Sequence, residues 1–94
     1  MKKYDVIIQP WTESERGWGQ RPDGYSLHKT SEDRTKFIVE FNSHLPVEVP
    51  DEYSFANGPA KIISVTEDIY KKICASEDGI WITNQEGREL LNDG

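Results

Sequence analysis

The rhythm of apolar and polar positions divides this chain into recognisable pieces. Within KYDVIIQ, residues 3–9, Val6, Ile7 and Ile8 form a continuous β-branched run that predicts a strand closed by Pro10. Such a run suits a strand covered on both faces, or one that meets a second copy. Further on, YSLH sets Tyr25 and Leu27 against Ser26 and His28, a period of two that predicts a second strand hairpinned to the first. Residues 10–23 between them read as a wide ordered loop. It ends in the RPDG turn, where Pro22 presets φ and Gly24 takes the exit.

The period then changes. Arg34, Phe37, Ile38, Phe41 and Leu45 recur at steps of three and four, which predicts an amphipathic helix over about residues 31–43 with Phe37, Ile38 and Phe41 as its apolar stripe. Thr30 is its N-cap, Glu32 and Asp33 favour its positive end, and Pro46 stops continuation. LPVEVPDEYSFANGP, with three prolines, predicts a connector pinned by Tyr53 and Phe55. KIISV is a strand, and Thr66 caps a second helix whose buried face is Ile69, Tyr70, Ile73 and Cys74. GIWIT is a further strand, followed by an NQEG turn and a RELL segment that either pairs back or frays. The order β-β-α-β-α-β predicts a single α+β domain over residues 1–94, with two helices packed on one face of a mainly antiparallel sheet. Exposed sheet edges predict a homo-oligomer.

Composition sharpens this picture. The 94 residues are 35% hydrophobic and 30% charged, so the core is small, and aromatic side chains must fill much of it. Three Trp, four Tyr and three Phe argue against disorder. The net charge of −6 disfavours direct DNA binding, which draws its affinity from Lys and Arg on phosphates. Residues 1–30 carry five basic and four acidic groups (+1), residues 31–60 two and six (−4), and residues 61–94 four and seven (−3). The aromatic-rich first third is therefore the part that could receive an anion unaided. A single cysteine, Cys74, excludes an intrachain disulfide and reads as a small buried hydrophobe. With no secretory leader and no apolar run of membrane-spanning length, the expectation is a soluble cytoplasmic protein.

Complete catalytic motifs are missing. His28-x-Thr30 is half of a two-histidine phosphoesterase pattern, but Pro46 stands where the second hydroxyl belongs after His44. Ligand spacings for zinc are absent, as are phosphate-binding and nucleophile-elbow motifs, so no cofactor, metal or catalytic residue is expected. What stands out is the stretch from Trp11 to His28. Trp11, Arg16, Trp18, Arg21 and His28 could form a pocket for a nucleotide-like anion, because indole and guanidinium planes stack on bases and Arg clamps phosphate. Equally, Trp11 and Trp18 could close one end of the core while Arg16 and Arg21 pair with Glu13, Glu15 or Asp23.

WTESERGWGQRPDGYSLH, residues 11–28, also resembles a W-T-E-x-E-x-G-W-G-x-R-P-D-G-Y-S-L-H signature of uncharacterised small bacterial and bacteriophage proteins; the likeness covers about residues 4–41, with an echo at residues 50–54. It implies an accessory protein that inhibits bacterial immunity by binding. The expected function is non-enzymatic capture of a nucleotide-like small molecule or a host protein. The alternatives are a phosphoester hydrolase or transferase using His28 with Glu13 or Glu15, or a structural oligomerisation module.

Overall fold

The computed structural model describes residues 2–15, 19–43 and 52–93. It is an α+β fold, a curled antiparallel sheet of five strands with three helices among the described residues. β1 (Lys3–Glu15) and β2 (Gly19–His28) form a long hairpin. It is followed by α1 (Ser31–Ser43), β3 (Glu52–Ala56), β4 (Lys61–Thr66), α2 (Glu67–Ala75), β5 (Ile80–Ile82) and α3 (Asn84–Asp93). β1 lies at the centre. One side of it pairs with β2, while the other takes β4 along Lys3–Ile8 and β3 along Trp11–Glu15. β5 adds to the far side of β2 through Tyr25–Leu27.

Four expectations need correcting. First, Pro10 does not end β1, and residues 10–23 are not a loop. Pro10 pairs with Tyr25 and Thr12 with Pro22, so one extra β2 residue bulges opposite Trp11. Proline is tolerated at such an irregularity because the missing N–H is not needed there. The RPDG residues serve this bulge instead of a turn. Gly24 has φ of 104°, its N–H donates to Asn84 Oδ1 at 2.7 Å, and a Cβ there would lie 2.8 Å from the Ile82 carbonyl oxygen. Second, the connector contains β3, which the edge of β1 organises. Third, RELL belongs to a helix, α3. Thr83 and Glu86 form its capping box: Glu86 N donates to Thr83 Oγ1 at 3.1 Å, and Thr83 N to Glu86 Oε1 at 3.3 Å. The observed order is thus β-β-α-β-β-α-β-α.

The fourth correction concerns the layers. Val6, Ile8, Leu27, Ile63, Val65 and Ile73 make an aliphatic core, against which Ile69 of α2, Ile80 and Ile82 of β5, and Leu90 and Leu91 of α3 pack. Gln9, Trp11, Ser26 and His28 alternate with these strand residues, point to the opposite face, and are also buried. That face is covered by α1. Arg34 Nε donates to Gln9 Oε1 at 2.7 Å, and Phe37 and Phe41 pack on Trp11. The helices therefore flank the sheet, with α2 and α3 on the aliphatic side and α1 on the aromatic side. Cys74 is exposed, not buried; Ile73 takes the core position, four residues after Ile69.

Candidate functional site

Of the residues expected to bind a ligand, Trp11 and His28 are sealed inside, with 1% and 0% of their surfaces exposed. Arg16 and Trp18 lie outside the described residues. Arg21 sits in β2 opposite Glu13, and its side chain, like that of Glu15, is also outside what is described. The structure thus joins two of the five, and it does so through Ser26. Trp11 Nε1 donates to Ser26 Oγ at 2.8 Å, Ser26 Oγ lies 2.7 Å from His28 Nε2, and His28 Nδ1 lies 2.6 Å from the Asp78 carbonyl oxygen.

This geometry assigns the protons. A carbonyl only accepts, so Nδ1 carries the hydrogen. Nε2 of the neutral ring then accepts the Ser26 hydroxyl, which itself accepts from the indole. Every polar atom in the chain is used. Burial lowers the pKa of His28 and the Arg34 guanidinium adds to this; the Asp78 carbonyl pulls the other way, but the net shift favours the neutral ring. Gly79 belongs to the same arrangement: a Cβ on it would fall 2.4 Å from His28 Nδ1. A serine and a histidine are adjacent here, but neither reaches solvent, where a substrate would have to meet them.

Above this buried chain lies a surface that does reach solvent. β5 is Ile80-Trp81-Ile82. Both isoleucines face the aliphatic core, so alternation sends Trp81 to the aromatic side, where it is 45% exposed. Its ring centroid is 4.7 Å from Trp11, 5.1 Å from Phe37 and 5.7 Å from Phe41. The interplanar angles of 57–62° are tilted or edge-on, the arrangement that aromatic quadrupoles favour. Phe37, Phe41, Trp81, Glu40 and Asp78 line a hollow of about 200 Å³.

Two carboxyl groups share the rim. Asp78 is 8% exposed, and its Oδ2 is buried without a hydrogen-bond partner among the described residues. Glu40, on α1, has its pKa raised, first by a hydrogen bond between its side chain and that of Asp78, then by desolvation and by repulsion from Asp78. Lys36 opposes the shift and Glu77 adds to it. None of these five lining residues was expected as a site residue. The three- and four-residue spacing of Phe37 and Phe41 marks them only as a packing stripe. The I-W-I alternation, which places one indole opposite two core isoleucines, was the available signal for Trp81. Nothing local marks Glu40 and Asp78 as neighbours, because α1 and the segment before β5 meet only in three dimensions.

Among the described residues no group of His, Cys, Asp and Glu could hold a metal ion, and no helix is long and apolar enough to cross a membrane. No protein-family model matches the chain, and neither a curated protein nor a solved structure matches it.

Proposed function

We propose that the chain is a non-enzymatic binding protein whose recognition surface is the aromatic and acidic face around Trp81. One observation carries this reading: the Ser26–His28 pair that could have done chemistry is closed off by Trp11 and the Asp78 carbonyl, whereas the half-exposed indole beside it opens to solvent. The N-terminal signature supports a narrower version, a bacteriophage-type accessory protein that inhibits host immunity by stoichiometric capture in the cytoplasm. Within that version a host protein is favoured over a nucleotide at this surface. The hollow is smaller than the roughly 300–1,000 Å³ of pockets that enclose drug-sized ligands, and its rim carries carboxyls that repel phosphate.

The test pairs binding with turnover. Thermal-shift and calorimetric titrations against nucleotides and basic peptides should find a ligand that binds with one-to-one stoichiometry, raises the melting temperature, and loses both effects in Trp81→Ala. Hydrolysis of a generic phosphodiester that is abolished by His28→Ala would overturn the reading.

A further inference from the structure

We propose that the hollow between α1 and β5 is a cation site for a protonated alkylamine that retains at least one N–H. The proposal rests on the binding reading above and names the ligand class of that site.

Three features converge on it. Phe37, Phe41 and Trp81 present three ring systems around one small space, and an ammonium head within about 6 Å of a ring centroid is attracted to the ring's negative face. Two carboxyls stand beside the rings, so the hollow offers negative charge as well as polarizable surface. The third feature decides the chemistry. Asp78 Oδ2 is buried, accepts no hydrogen bond among the described residues, and belongs to a side chain that lines the hollow; the Glu40 carboxyl can donate to Asp78 only when it is protonated. A buried acceptor left unmade is costly, and costlier still when charged. An aromatic cluster that merely completed the core would have no use for such an atom. An N–H-bearing ammonium lying against the rings satisfies the Asp78 carboxyl by donating one hydrogen bond to it. A quaternary ammonium fits the rings but has no hydrogen to give, and a guanidinium is a broad plane for so small a space.

The same chemistry can come from two sources, a free amine or a lysine side chain on a protein. The experiment therefore titrates ¹⁵N-labelled protein with n-butylammonium, its N,N-dimethyl and N,N,N-trimethyl derivatives, and n-butanol, followed by amide and indole N–H shifts. A lysine-containing peptide with otherwise neutral residues forms a parallel arm. The expected result is saturable shifts at Phe37, Phe41 and the Trp81 indole. The N–H-bearing amines should bind most tightly, the trimethyl form at least several-fold more weakly, and butanol not measurably. Asp78→Asn should weaken amine binding about tenfold, the effect of losing one charge-assisted hydrogen bond. Glu40→Gln, an exposed change on α1, gives a second variant, and its binding should also weaken. Binding by the peptide as well as the free amine marks a protein ligand and binding by the free amine alone marks a small molecule; both support the site. Equal binding of butanol, equal binding of the trimethyl form, or no saturable shift would overturn it. A phosphodiesterase activity lost in His28→Ala would instead strike the binding reading, so the two failures are distinguishable.

Discussion

At the scale of single residues, His28 shows how burial converts a reactive side chain into a structural one. Its imidazole spends both nitrogens inside, one on Ser26 and one on the Asp78 carbonyl. The pKa shift sets a pH signature. The folded-state value lies below the ordinary histidine value of 6.5, so the unfolded chain takes up a proton at a pH where the folded one does not. The stability this provides is complete above 6.5 and is lost as pH falls from there toward the lowered folded value. Chemical-denaturation curves should therefore give a free energy of unfolding that declines between pH 7 and pH 5, and His28→Phe should flatten that decline. An unchanged slope in the variant would assign the decline to other groups. Ser26→Ala is the companion test. It strands the Trp11 N–H and His28 Nε2 together, and at about 1–3 kcal/mol for a buried group left unsatisfied it should be among the most harmful one-atom deletions in the protein.

At the scale of elements, local signals were legible wherever the residues themselves enforce the structure. Thr30 caps α1 as expected, with Asp33 N donating to Thr30 Oγ1 at 3.1 Å, and α1 spans Ser31–Ser43, in line with the three- and four-residue spacing of its apolar positions. The strands KIISV and GIWIT and the helix after Thr66 were legible for the same reason. Illegible were the elements that depend on a neighbour. Pro10, Pro22 and Gly24 carry strong turn propensity, yet they lie in strands because a bulge opposite Trp11 absorbs them and the Asn84 side chain bonds both to Gly24 N–H and to the Pro22 carbonyl. β3 exists because the outer edge of β1 offers it partners. α3 is a different case. T-N-Q-E is a capping box readable at residues 83–86, in competition with the turn propensity of the overlapping NQEG. Its energetic role is testable. Thr83→Ala removes the hydroxyl that accepts from Glu86 N, and should cost about 0.5–2 kcal/mol by denaturant titration. Because α3 closes the aliphatic core through Leu90 and Leu91, the loss should appear as a lower transition midpoint for the whole protein; early fraying of α3 alone would show that the helix is not coupled to the core.

At the scale of the whole molecule, the sheet keeps two unlike faces, and this explains why the candidate site was hard to foresee. The aliphatic face announces itself through β-branched alternation. The opposite face is built from Trp11, Ser26, His28, Phe37, Phe41 and Trp81, scattered over three strands and a helix, and only the curl of the sheet assembles them. Charge acts over a longer range than this packing. The net charge of −6 surrounds the protein with a field that draws cations toward any part of it, whereas the carboxyls and rings of the hollow act only on contact. Ionic strength separates the two. The Debye length falls from about 30 Å at 0.01 M to about 3 Å at 1 M, so distant charges are silenced while groups touching the ligand are not. For a lysine peptide measured by stopped-flow fluorescence, the association rate should drop about tenfold or more across that range, the scale of electrostatic steering, and the dissociation rate should change far less. If dissociation instead accelerated as much as association slowed, the peptide would be held by the diffuse acidic surface, and Trp81→Ala would leave its affinity at low salt untouched.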